Sequence, residues 1–176
     1  MDNVLKEAIL NGLYDKDKNN GNEFFSPQLV SNDQENKIWF TLRQELLSTT
    51  SFTWAVAFIS ENMLVPFKLV MSELAKKGIS GTLITGTYLG FNSPKVFKEL
   101  MKIPNLKVRL SEEAGFHAKG YIFNHEDYQT ILIGSANFTR SALLKNCEWG
   151  LKVTSHENGQ LVQELNNQIQ ITLTTS

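Results

Sequence analysis

The sequence predicts an α/β fold, a mixed and largely parallel β-sheet flanked by helices on both faces. Residues Ser51 to Ile59 (SFTWAVAFI) form a near-continuous apolar run of strand length, as a strand buried on both faces requires. A helical pattern from Glu61 to Lys77 leads to a second such run, Ile79 to Thr85. A strand–helix–strand order with a connection of that length implies a parallel pair and a right-handed crossover. Further on, Ala118 to Phe123 and Tyr128 to Ile133 are strand-length runs separated by the polar Asn124-His125-Glu126-Asp127, which is hairpin chemistry.

Taken in order, residues 2 to 13 carry Val4, Leu5, Ala8, Ile9 and Leu13 at helical spacing, and Tyr14 to Asn22 is a polar loop. Ser31-x-x-Gln34 resembles a capping box and predicts a helix from Ser31 to about Ser48, with Ile38, Trp39, Leu42, Leu46 and Leu47 as its core stripe. After the central strand, the Glu61 helix tolerates Pro66 in its first turns, and Gly78 suits its C-terminal cap. Gly86 to Asn92 is the loop at the C-terminal end of the next strand, a candidate wall for a ligand site in an open α/β sheet. Its GTYLG spacing is neither a dinucleotide fingerprint nor a P-loop. Ser93 and Pro94 open a helix to about Lys102, and Leu106 to Leu110 is a strand. After the hairpin come a short helix from Thr139 to Lys145, a strand from Glu148 to Val153 and a closing helix from Glu157 to Gln170. The final ITLTTS lacks a cap or charged end, which suggests an excised domain or more chain to follow.

At 176 residues the chain is expected to form one domain, 1–176, with an N-terminal helical segment over 1–50 and the α/β core over 51–176. With 41% hydrophobic and 20% charged residues, the composition is that of a globular protein. The single Cys147 excludes an internal disulfide and fits a reducing compartment. No apolar run approaches the roughly 20 residues that span a bilayer, and the N-terminus is unlike a signal peptide. Cytoplasm and no membrane association are the resulting expectations. A net charge of −1 gives no global attraction to phosphate, so nucleic-acid binding needs a local patch. Lys107, Arg109, Lys119, Arg140, Lys145 and Lys152 are the candidates.

The chemistry concentrates between Phe116 and Trp149. His117 and Lys119 share a strand face by the period of two, and Ser135 and Asn137, also two apart, end the neighbouring strand. Gly134 there permits close approach of a backbone. A histidine, an amine, a hydroxyl and a carboxamide converging on one volume make a phosphate site, with one member able to act as a nucleophile. A metal is not expected, because Cys147, Glu148 and His117 lack the paired spacing of zinc ligands. His125 and His156, in polar turns, read as surface residues.

His117-x-Lys119 followed by Gly134-Ser135-x-Asn137 resembles the HKD motif of the phospholipase D superfamily, H-x-K-x4-D and then G-S-x-N. The resemblance is to the compact nuclease branch, and within it to PLD-like domains joined to helicases or restriction enzymes. It covers residues 116 to 150 and, more loosely, the pattern from residue 51 onward. The Asp of the family pattern falls on Asn124, and Glu148 matches a downstream glutamate of the nucleases.

The resemblance implies a phospholipase D-like fold and a metal-independent phosphodiesterase acting on DNA without a cofactor. His117 would attack phosphorus and form a phosphohistidine. Lys119 and Asn137 would hold non-bridging oxygens with help from Ser135, and Glu148 would accept a hydrogen bond from His117. Arg140 and Lys145 are expected to bind substrate. Such sites use two H-x-K motifs, and neither His125 nor His156 has a lysine two residues on. The second half should therefore come from another copy, making a homodimer through the active-site face. A helicase portion of the same full-length protein is a further expected partner. Two other readings remain at this stage: a phosphate-binding module that does not cleave, favoured by Asn124 and the near-neutral charge, and, more weakly, a phospholipid-acting enzyme.

Overall fold

A computed structural model of the chain describes residues 3–10, 12, 23–87, 92–111, 113, 115–157 and 159–174. Helix α1 spans Asn3–Leu10, and a 3-10 turn spans Glu23–Phe25. The elements that follow are β1 (Gln28–Ser31), α2 (Ile38–Ser48), β2 (Ser51–Val56), α3 (Glu61–Lys76), β3 (Ser80–Gly86), α4 (Pro94–Leu100) and β4 (Leu106–Ser111). The chain closes with β5 (Lys119–Asn124), β6 (Tyr128–Gly134), α5 (Arg140–Leu144), β7 (Trp149–His156) and α6 (Gln160–Thr174). The expected loop Tyr14–Asn22 lies outside the described residues, as do positions 88–91 of the candidate wall.

The seven strands form one mixed sheet in the order β1-β7-β6-β5-β2-β3-β4. Parallel pairing is narrower than the sequence suggests. It joins β2 to β3 and β3 to β4, while β1–β7, β2–β5, β5–β6 and β6–β7 are antiparallel. The hairpin accounts for this: β5 enters the sheet against β2, and each later strand reverses direction.

Alternation along the strands divides the core in two. Phe52, Trp54, Tyr121, Phe123 and Leu132 face α2, α3, α4 and α5, and Trp54 packs against Phe67, Tyr121 and Phe138 at ring separations of 5.1–5.3 Å. Ala55, Ile84, Ile122 and Ile131 face the other way, where Val162, Leu165 and Ile169 of α6 cover them. Helices on both faces are thus observed. Ser93 caps α4 by accepting the Val96 N–H, and Gly78 takes the positive φ of 72° that ends α3.

The helix expected from Ser31 does not start there. Residues 28–31 pair with β7 from Gln28↔Lys152 to Ser31↔Trp149, so part of the segment read as helical belongs to the sheet. Asp33 then bonds the backbone N–H groups of Glu35 and Asn36 in a turn, and Asn32 Oδ1 accepts the Ile38 N–H at 3.0 Å, starting α2 seven residues late. The stripe Ile38, Trp39, Leu42 and Leu46 is buried as expected. No helix among the described residues is long and apolar enough to cross a membrane.

Candidate active site

The sheet brings four chain segments to one edge. Val56 pairs with Lys119, Gly120 with Ile133 and Gly134 with Gly150, so the end of β2, the start of β5, the end of β6 and the start of β7 lie side by side. Residues beyond the last β2 pair stay attached, since the Ala57 N–H donates to Ala118 O at 3.0 Å and the Ser60 N–H to Phe138 O at 3.1 Å.

His117 and Lys119 meet on this edge. The Lys119 ammonium donates to His117 Nδ1 at 2.7 Å and to the His117 carbonyl at 2.7 Å. The Phe58 ring stands edge-on to the imidazole at 5.4 Å and lies 5.9 Å from Lys119 Nζ. Burial lowers the Lys119 pKa from its ordinary value, and the nearby Glu148 carboxylate opposes that shift.

Ser135 and Glu148 meet directly as well. The Ser135 hydroxyl donates to the Glu148 carboxylate while accepting the Trp149 N–H at 3.2 Å, and the Ser135 N–H returns to Trp149 O at 3.0 Å. Gly134 makes this possible, because a Cβ there would lie 2.3 Å from Trp149 O and 2.7 Å from Gly150 Cα. Asn137 Oδ1 accepts the Phe58 N–H at 3.2 Å. Only the oxygen can accept from that donor, so the amide is oriented and its NH2 carries the donors left for a ligand. Beneath the turn, the buried Tyr121 hydroxyl donates to Ala136 O at 2.9 Å. Burial pushes its pKa far up, with the Glu148 charge adding to it, so it remains a neutral donor.

The edge thus joins His117 to Lys119 and Ser135 to Glu148. The hydrogen bond implied from Glu148 to His117 is not the contact formed: Glu148 accepts from Ser135, and Lys119 takes the His117 Nδ1. Arg140 and Lys145 stand apart. The Arg140 backbone N–H holds Ser60 Oγ at 3.0 Å, but its side chain is exposed, and Lys145 is exposed beyond the C-terminal end of α5. Neither side chain touches the five residues of the edge among the described contacts. Lys152 is tied to Glu45 at 3.0 Å on the α2 side. Lys107 and Arg109 lie on β4, three strands from β5 in the sheet.

Asn124 ends β5 at the far side of the sheet, roughly 16 Å of strand from Lys119. It binds Ser51 Oγ and Gln129, and its carbonyl accepts from Thr49 and Thr50. It ties β5 to β2 rather than lining the edge. His125 is not a surface residue. It is 8% exposed, stacks on Tyr128, and has Ser48 O and the Glu45 carboxylate as partners at 3.0 and 3.2 Å. His156 ends β7 far from the edge, against Phe25.

Two roles escaped the sequence reading, although Asn92 closes the loop read as a candidate wall. Phe58 touches three residues of the edge, and Asn92 pins the segment that carries it. Asn92 Oδ1 accepts the Ile59 N–H at 2.8 Å, and its NH2 donates to Ala57 O, Thr85 Oγ1 and Gly86 O at 2.8–3.0 Å. An aromatic residue inside an apolar run and a lone Asn after a loop carry no local signal of such roles. No cluster of three or more His, Cys, Asp and Glu side chains among the described residues could hold a metal.

A family model described as cardiolipin synthase, PLD-like domain, matches residues 42–171. Among solved structures the chain is similar to NucT from Helicobacter pylori, at 20% identity over 85% of this chain and 96% of that one, with a TM-score of 0.65. It is also similar to Nuc from Salmonella typhimurium, a phospholipase D family member, at 18% identity over 84% and 94% with a TM-score of 0.63. Polyphosphate kinase from Porphyromonas gingivalis matches at 11% identity over 84% of this chain and 26% of that one, with a TM-score of 0.61. At these identities the likeness is one of fold. A comparison with curated proteins gives no match.

Proposed function

The chain belongs to the PLD-like domain family, and on that premise we propose that it is a metal-independent phosphodiesterase that cleaves DNA. The observation that carries the proposal is the meeting of His117, Lys119, Ser135, Asn137 and Glu148 on one sheet edge. Four are donors suited to phosphoryl oxygens, and the carboxylate of Glu148 lies beside them.

A substrate phosphate draws the Lys119 ammonium and the Asn137 NH2 onto its non-bridging oxygens, with the Ser135 hydroxyl as a third donor. The neutral imidazole of His117 attacks phosphorus, a P–N bond forms, and the bond to the leaving oxygen breaks as that oxygen takes a proton. Water then attacks the phosphohistidine, gives up a proton and frees the ring. Glu148 holds Ser135 in place and balances the charge of Lys119. Both steps need an acid or base besides His117, and neither His125 nor His156 reaches this edge. A second copy supplies it, with the two His117 rings facing each other across a two-fold axis. On this proposal the chain is the nuclease part of a larger helicase or restriction protein, a role supported by the sequence resemblance alone.

The test is incubation with labelled single- and double-stranded DNA in excess EDTA, beside His117→Ala. Cleavage by the wild type and none by the variant is expected. Salt-sensitive binding without product, weakened in Lys119→Ala, would instead favour the phosphate-binding module. That second reading draws on the Lys119–His117 bond, which occupies the nucleophile in the isolated chain.

A further inference from the structure

Trp149 stands uncovered at the active edge. Strand register puts it there: Ile133 pairs with Leu151 and Gly134 with Gly150, so Ser135 and Trp149 come opposite each other where β6 and β7 reach the edge. The Ser135 N–H donates to Trp149 O at 3.0 Å, and the Trp149 N–H donates to Ser135 Oγ at 3.2 Å. Period-two alternation sets the two side chains on one face of the sheet, about 5 Å apart at Cβ. On the other flank Trp149 pairs with Ser31. With two small neighbours the indole is 69% exposed, whereas Trp39 and Trp54 are 6% and 0% exposed in the core. Among the described residues no ring, cation or hydrogen-bond partner meets the indole.

The surroundings divide as a nucleotide does. The groups suited to a phosphate, Lys119, Ser135 and Asn137, lie along the edge. Behind them β1 and β6 carry no charge, Lys152 of β7 is tied to Glu45, and Ile133 and Leu151 are 42% and 46% exposed. A phosphate at Ser135 Oγ therefore has cations and donors on one side and the indole on the other, within the reach of the adjoining sugar and base. Every base has a flat π-face that stacks on an aromatic side chain, whatever its identity. In a duplex that face is covered by the next base pair, so the position suits an unpaired base. Packing does not account for Trp149, because a tryptophan that serves the core is buried in it, as the other two are.

We propose that Trp149 is a stacking platform for an unpaired base of the substrate strand, beside the phosphate held at Ser135. The substrate is then single-stranded DNA or an unpaired stretch of it. This rests on the phosphodiesterase reading of the edge. The test is titration of tryptophan emission in His117→Ala, which keeps the strand whole, with oligothymidylate and with an abasic strand of the same length. Trp149→Ala and Trp149→Phe are made in the same background, with circular dichroism for folding. Oligothymidylate should quench the exposed indole, and the abasic strand should not. Trp149→Ala should bind oligothymidylate about 5- to 150-fold more weakly, the range for losing one stacked base. Its salt slope should be unchanged, because no phosphate contact is removed. Trp149→Phe should keep most of the affinity. With His117 intact, Trp149→Ala should lower kcat/KM on single strands by a similar factor. A folded Trp149→Ala that binds oligothymidylate as tightly as its parent overturns the proposal, as does equal quenching by the abasic strand. Emission that shifts with protein concentration alone, and that no strand quenches, would assign the indole to a second copy instead. If strands bind and quench but the wild type cuts none, the stacking stands and the phosphodiesterase reading falls. Cleavage indifferent to Trp149 does the reverse. Neither binding nor cleavage of any strand overturns both.

Discussion

Lys119 and His117 are bonded to each other twice, with Nζ 2.7 Å from Nδ1 and 2.7 Å from the backbone carbonyl two residues back. The ammonium therefore faces the Nδ1 lone pair of the ring. On the proposed reading, a phosphate oxygen competes for the same ammonium, so binding of the ligand frees the ring nitrogen of His117.

Titration with inorganic phosphate should shift the ring ¹⁵N resonances of His117 in the wild type and leave them unchanged in Lys119→Met. The same variant should lower kcat/KM for DNA cleavage by about 100- to 1,000-fold, the range for removing one donor from a charge-stabilising site. Lys119→Arg should not restore activity. A planar guanidinium cannot occupy the one point that faces Nδ1, the carbonyl and the Phe58 ring together.

Phe58 should matter for turnover more than for folding. Its ring is only partly buried, so Phe58→Leu should melt close to the wild type, but the imidazole and the ammonium lose the surface they rest on. A drop in kcat of about 3- to 10-fold with KM little changed is expected, as a cation–π contact of about 1 kcal/mol would give. Phe58→Tyr should keep most of the activity. An unchanged kcat in Phe58→Leu would remove the residue from the site.

Acid stability should report on Glu45. Burial alone raises its pKa, but the hydrogen bond to His125 and the pairing with Lys152 outweigh it and hold the carboxyl below its ordinary 4.5. A carboxylate depressed in the folded state stabilises above its unfolded pKa, and the contribution is lost as pH falls through the folded one. Wild-type stability should therefore fall as pH drops below about 4.5. Glu45→Gln should lose about 1–3 kcal/mol at pH 7 and show a shallower slope in acid, measured as Tm against pH. Parallel curves would rule the pairing out as a source of stability.

Asn124→Asp should leave cleavage within about twofold of the wild type. The side chain binds Ser51 and Gln129 at the end of β5 away from the active edge, and a carboxylate can accept from both. A gain of tenfold or more would mean that this position reaches the phosphate chemistry through the length of β5.

The hairpin and its motif were legible because they are local. Period-two alternation sets His117 beside Lys119, and Gly134-Ser135-x-Asn137 must follow β6 wherever β6 goes. The caps at Ser93 and Gly78 were readable for the same reason, since each acts within a turn of itself. Strand β1 was not legible, because Gln28–Ser31 has no pattern of its own and becomes a strand only by pairing with β7, more than a hundred residues on. His125 misled in the same way: its neighbours in sequence are polar, and its partner Glu45 lies eighty residues back.

The sequence by itself determined which chemical groups this protein can bring to a phosphate, because residue types and short spacings suffice for that. Tertiary structure decided how those groups are paired. Glu148 bonds Ser135 because antiparallel β6 and β7 end together there, Lys119 rests on His117 under a ring delivered by β2, and Asn124 is carried to the opposite end of its strand. Those relations depend on strand order and register, which arise from burial summed over the whole sheet and are not encoded at any one position.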